Sequence, residues 1–229
     1  MGWKASTIIV HRPIQVDVNA LLKELGFQNL KKIEDAPFEI AINPDDNKVY
    51  IGSYLDNLLI CTQEIPMQFF EDSETQTEKT LNRIFPNSEI CSIILHSVVN
   101  LWGYSVTKNG QKLRARAGSA DDGTFVNIGE PLEEEKELLS KSELDENGNR
   151  NYLFDDFPDD PMTEDQVGEN FVFAICKRYF GEELDSADNL LFETILSGYK
   201  YGKINMNETT PIGEEQISPN TNKPWWKLW

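Results

Sequence analysis

The chain has 229 residues, 39% of them apolar, and carries 39 acidic against 21 basic side chains, a formal net charge of −18. That length can bury a substantial core in one domain, while the negative surface disfavours nucleic acid and anionic membranes and favours basic proteins. Cys61, Cys91 and Cys176 have no paired spacing, and neither a signal peptide nor a membrane-length apolar run is evident, so the cytoplasm is the expected location.

The elements are short and mixed. Residues 4–10 form a β-branched run that predicts a strand, after which Asp17 caps an amphipathic helix carrying Val18, Leu21, Leu22 and Leu25 and stopped by Gly26. Strands are expected over 38–42, 48–54 and 58–62, separated by turn clusters at 44–47 and 56–57. A polar helix over 67–85 precedes the most apolar stretch, 90–99, which reads as a central strand covered on both faces. A meander continues from there to about residue 128, through 102–107, 111–117 and 124–128, with turns at Asn109-Gly110 and Asp122-Gly123.

Beyond it lies an acidic stretch, read as a loop-rich insert over 133–168; between Glu133 and Glu169 there are 14 acids and three bases. Two C-terminal helices, 169–180 and 186–196, and a last strand near 199–204 complete the domain. The fold class is therefore α+β: a single domain with a mixed, mostly antiparallel sheet and helices packed on it. Residues 205–222 read as a polar linker and 223–229 as a Trp-rich tail.

Pro224-Trp225-Trp226-Lys227-Leu228-Trp229 holds three of the five tryptophans. Trp225, Trp226, Leu228 and Trp229 are interaction candidates, because apolar area gained on docking such a segment is large but nearly offset by the entropy of ordering it. A marginal, switchable contact is expected, with its own domain, a sister subunit or a separate protein.

Catalytic signals are sparse. His96 and Ser97 are adjacent, and neighbours on a strand point to opposite faces, so they form no dyad; His96 shares its face with Ser92 and Ile94. Catalytic candidates are His96 as base with Glu130, Asp121 or Asp122 as helper, against a reading of His96 as a hydrogen-bonded core residue. His11 could approach His96 only if their strands are neighbours and end together. Two histidines and three cysteines show no zinc spacing, and Asp145-Glu146-Asn147-Gly148-Asn149 reads as a turn because Arg150 stands where a calcium loop needs Gly. No metal and no cofactor is implied. In Lys112-Leu113-Arg114-Ala115-Arg116-Ala117, alternation places Lys112, Arg114 and Arg116 on one face. Their expected partner is the chain's own acidic segment; the alternative is an anionic ligand or the acidic patch of a partner.

Several short motifs carry a resemblance: Met1-Gly2-Trp3-Lys4-Ala5, Val49-Tyr50-Ile51-Gly52 leading to Ile60-Cys61-Thr62-Gln63-Glu64, Leu95-His96-Ser97-Val98-Val99-Asn100 with Tyr104, Ile128-Gly129-Glu130-Pro131-Leu132, and the helix ahead of Tyr201-Gly202. With these the chain resembles a family of uncharacterised bacterial proteins, known mainly from actinobacteria, over about residues 1–202. The resemblance implies a shared fold and adds weight to His96, Ser97 and Glu130 without giving them a role; neither the tail nor the acidic insert belongs to it. The expected function is a non-enzymatic interaction module, immunity- or inhibitor-like, acting on a basic partner or self-associating through the tail. The alternative is a small hydrolase or transferase using His96 with a nearby carboxylate.

Overall fold

A computed structural model describes residues 2–146, 148–155 and 157–205. The expected linker and tail, with Trp225, Trp226, Leu228 and Trp229, lie outside the described residues from position 206 onward. In chain order the elements are β1 (Lys4–His11), α1 (Val18–Glu24), α2 (Phe38–Ala41), β2 (Lys48–Tyr54), β3 (Asn57–Cys61), α3 (Gln76–Ile84), β4 (Glu89–His96), β5 (Leu101–Lys108), β6 (Gln111–Ser119), β7 (Gly123–Ile128), α4 (Glu133–Ser140), β8 (Ser142–Leu144), β9 (Arg150–Phe154), β10 (Phe157–Thr163), α5 (Glu164–Phe180) and β11 (Ile195–Lys200).

Ala5–Val10 and Ile90–Leu95 are buried along their whole length, as central strands must be, and β1 and β4 pair at the middle of a ten-stranded sheet. The order is β7-β6-β5-β4-β1-β3-β2-β11, extended by Lys31–Lys32 and Ala36–Pro37, both of which pair with β11. Every pairing in it is antiparallel. One face packs Ile9, Leu59, Cys91, Ile93 and Tyr104 against α5 and α2. The other packs Ile8, Val10, Ile60 and Ile90 against α1, α3 and the turn Pro66–Phe70.

Several expectations need correction. The strand expected over 90–99 ends at His96, before the turn Ser97–Val99, and the last strand expected near 199–204 is Ile195–Lys200 with a short pairing at Lys203–Ile204. Residues 38–42 form a helix, because the buried positions Phe38, Ala41 and Ile42 have helical i, i+3, i+4 spacing. The polar helix splits into the turn Pro66–Phe70 and α3, whose start Thr75 sets through a capping box with Glu78. The expected second C-terminal helix is a π-turn over Asn189–Glu193 followed by β11, where exposed Ile195 and buried Leu196 alternate as a strand requires. The acidic stretch is built rather than loop-rich: Glu133-Glu134-Glu135 occupy the first turn of α4, which favours negative charge, and β8, β9 and β10 form a small sheet.

Helix α5 comes unusually close to the large sheet at Gly168, where a Cβ would overlap the Trp102 indole. Trp102 is almost wholly buried and stacks on Phe171 with ring centroids 5.7 Å apart. Replacing a helical Gly by Ala ordinarily gains about 1 kcal/mol, but overpacking here costs about 1–3 kcal/mol and wins. Gly168→Ala is expected to lower stability in urea unfolding; a rise in the midpoint would show that the contact can relax.

Candidate functional site

Strand β4 ends at His96, and the chain then makes the short turn Ser97–Val99, closed by Asn100 in the left-handed region at φ 46°. Two cavities flank this turn. A cleft of about 410 Å³ is lined by His96 together with Ser6, Asn43, Asp46, Gln63, Met67, Ile94, Val98, Val99 and Leu101, and its wall is mainly apolar. His96 is half-buried, and its Nδ1 is buried with no hydrogen-bond partner among the described residues. Val98 is 78% exposed on the rim.

The second cavity, about 180 Å³, is lined by Ser97, Asn100, Trp102, Asp165, Gln166 and Glu169 and shares Leu95 and Leu101 with the first as walls. Ser97 Oγ accepts the Trp3 N–H at 2.8 Å and lies 2.9 Å from Glu169 Oε2. Asn100 Nδ2 donates to Asp165 Oδ2 at 2.9 Å.

His96 and Ser97 thus belong to different cavities, although Ser97 lies in the turn after β4 and not on the strand. Glu130 and Asp121 are exposed, and neither lines the cleft of His96. The carboxylate that does is Asp46, in the turn before β2. His11 does not meet His96: their strands are neighbours but antiparallel, so His11 pairs with Glu89 at the far end and its Nδ1 lies 2.9 Å from Asn57 Oδ1.

The basic ladder is interrupted by a β-bulge. Lys112 pairs with Thr107 and Arg114 with Val106, so the extra residue Leu113 turns Lys112 to one face and Arg114 and Arg116 to the other. Lys112 Nζ donates to the carbonyls of Phe69 and Glu71 at 2.8 and 2.7 Å. Arg114 and Arg116, only 2% and 3% exposed, face the acidic segment. Arg114 donates to both Glu135 oxygens at 2.8 Å, and its remaining nitrogen to Asn127 Oδ1, Ile128 O and Gly129 O. Arg116 pairs with Glu164 at 2.8 Å and lies over the Phe171 ring, 4.3 Å from its centroid. Arg114 is therefore spent inside the molecule, and Arg116 is buried against the same segment, with its Nε and Nη1 lacking a hydrogen-bond partner among the described residues.

The Gly129 of the Ile128-Gly129-Glu130-Pro131-Leu132 motif has φ 79°, and a Cβ there would overlap the Leu113 carbonyl, while its own carbonyl accepts from Arg114. The family model described as "Family of unknown function (DUF6928)" matches residues 15–148, more than half of the chain. The chain belongs to this family. No curated protein and no solved structure matches it. The matched segment holds His96, Asp46, Met67 and Val98 of the cleft and the Arg114–Glu135 fork, and stops short of α5.

A cluster not anticipated from sequence joins the other end of α5 to β4. Arg178 grips both oxygens of Glu89 at 2.5 and 3.1 Å, and the Tyr179 hydroxyl donates to Glu89 Oε1 at 2.9 Å. Burial works to raise the Glu89 carboxyl, but the Arg178 fork and the Tyr179 hydroxyl together hold it below its ordinary value. The only signals in the sequence were an acid at the head of the most apolar strand and a base late in an apolar helix. The cysteines are buried: Cys61 is pushed up to about 12 by burial, against a hydrogen bond from Thr7, and burial also raises Cys91 and Cys176. Such thiols are poor nucleophiles.

Glu135→Gln would leave Arg114 buried without its counter-charge and is expected to cost about 3–5 kcal/mol in urea unfolding. The paired change Glu135→Leu with Arg114→Met should cost much less; equal losses would mean that the charge pair is not what the site needs. Because the folded-state value of Glu89 is depressed, its contribution is present above the unfolded carboxylate range near pH 4.5 and is lost as pH falls through the folded value. The stability gap between the parent and Arg178→Gln should therefore be widest at pH 7 and shrink toward about pH 4. A gap independent of pH would remove Glu89 as the partner that matters.

Proposed function

We propose that the protein is a non-enzymatic interaction module that takes a basic partner at the rim of the His96 cleft. The observation that carries this reading is the pairing of an exposed apolar rim, Val98 at 78%, with the Asp46 carboxylate in the cleft, Asp165 and Glu169 lying in the cavity on the other side of the shared walls; none of the three has an ion-pair partner among the described residues. An apolar floor edged by uncompensated negative charge suits a segment carrying both an apolar anchor and a cation. The formal charge of −18 adds long-range attraction for such a partner, weakened by salt.

A second reading keeps His96 as a base for a small hydrolase or transferase. It is favoured by the unpartnered Nδ1 and by Asp46, which lines the same cleft.

Val98 lies outside the core, so Val98→Asp tests the cleft without unfolding the domain. With parent and variant as bait in parallel, a defined basic protein should be retained by the parent, released as salt rises and lost by Val98→Asp. Equal capture by both baits would sink the interaction reading. Turnover of an activated ester by the parent, abolished in His96→Gln with capture unchanged, would replace it with the second.

A further inference from the structure

The His96 cleft has an occupant within its own chain. We propose that the segment Pro224–Trp229 seats in it, an indole ring filling the apolar floor and a lysine lying beside Asp46. This rests on the reading of the cleft as an interaction site and names what covers it when no partner is bound.

Three observations support the assignment. The first is chemical fit: the cleft offers an apolar floor of Met67, Ile94 and Leu101 beside a buried imidazole nitrogen that lacks a partner. An indole is a flat apolar body with a single N–H donor, a shape and polarity suited to a cleft of mainly apolar wall. Methionine sulfur adds a favourable contact with an aromatic ring.

The second is charge. Lys223 and Lys227 bracket Trp225 and Trp226, and the segment meets Asp46 in the cleft, with Asp165 and Glu169 in the cavity behind the shared Leu95 and Leu101 walls. A tail lysine thus approaches Asp46, which has no ion-pair partner among the described residues.

The third is where the described chain leaves the domain. Tyr201 N donates to Asn47 O at 3.0 Å, immediately beside the cleft residue Asp46, and Asn205 N donates to Gly26 O at 3.0 Å. From Asn205 to Pro224 is 19 residue steps, a reach of about 60 Å when extended, against a domain about 40 Å across. A tether of this kind holds its end at an effective concentration of around a millimolar, so a weak contact suffices, and a partner carrying the same chemistry can displace it.

The test uses the full chain with labelled methyl groups. In the parent, the Met67 and Val98 methyl resonances should be displaced upfield by the stacked ring; in Trp225→Ala/Trp226→Ala they should return to ordinary positions, by the same amount at tenfold different protein concentrations. In the reverse direction, Val98→Asp should move the tail indole N–H resonances toward those of free tryptophan. Methyl resonances that do not respond to loss of the tryptophans overturn the proposal, and a response that grows with concentration assigns the cleft to a second copy's segment and also overturns it. The two ideas fail separately. Unmoved methyls with capture still lost in Val98→Asp leave the interaction reading standing without this occupant, whereas moved methyls with capture unaffected by Val98→Asp leave the occupant without the interaction reading.

Discussion

The fork between Arg114 and Glu135 is the interaction on which the remainder of the architecture depends. Two charges that are only 2% and 1% exposed are tolerable only if each meets the other in good geometry and its remaining groups are satisfied. The Arg114 nitrogens are saturated by Glu135, Asn127, Ile128 and Gly129, and Glu135 Oε1 also accepts the Leu132 N–H. The bulge at Leu113 is what turns the arginine to that face, and the left-handed Gly129 is what lets the chain after β7 approach closely enough. Part of the acidity is therefore internal: Glu135 and Glu164 neutralise the arginines of β6 and pin the acidic stretch onto the sheet.

Once that stretch is pinned, α5 has little freedom. Its first turn is tied through Glu164 to Arg116, its second turn rests on Trp102 through Gly168, and its last turn is clamped by Arg178 on Glu89. The tie at the first turn also carries Asp165 to Asn100 and Glu169 to Ser97, and these two bonds hold the turn that follows β4. Such a held turn presents Val98 outward, with His96 on one side and Ser97 on the other. The cleft is in this sense a consequence of electrostatics buried behind it.

Much of the sheet was legible because its signals are local. Strand 48–54 and the hairpin at Asn109-Gly110 follow from alternation and turn chemistry, and the structure has them nearly residue for residue, whereas the strand expected over 90–99 stops at His96, where Ser97–Val99 turn. What failed depended on tertiary context. Phe38, Ala41 and Ile42 satisfy both a strand and a short helix until Phe38 and its neighbours are placed against the core; Leu191 and Ile195 have helical spacing, yet the ladder with β2 claims the second of the two segments. Acid-rich composition concealed α4 and the small sheet, because the residues that order them, Glu135 and Tyr152, are buried by arginines supplied from a distant strand. For the site, sequence placed His96 on its strand and separated it from Ser97, but selected exposed Glu130 and Asp121 rather than Asp46, whose approach depends on the sheet bringing β2 near the end of β4.

The family match adds a constraint of its own. Residues 15–148 include β2 to β7 but omit β1, and among the described residues β1 is what joins β4 to β3: it pairs with β4 along one edge and β3 along the other. In this chain the matched segment therefore divides into two half-sheets unless residues 4–11 are inserted between them. The same boundary divides the buried charges, for Arg114 and Glu135 both lie inside the match, whereas Arg116 finds Glu164 beyond it. An isolated matched segment would keep the fork, lose the second counter-charge and expose the edges of β3 and β4 to foreign strands. The structural unit of this protein is accordingly larger than the matched segment, and the His96 cleft straddles its boundary, since Ser6 comes from β1 and Asp46, Met67 and Val98 come from within the match.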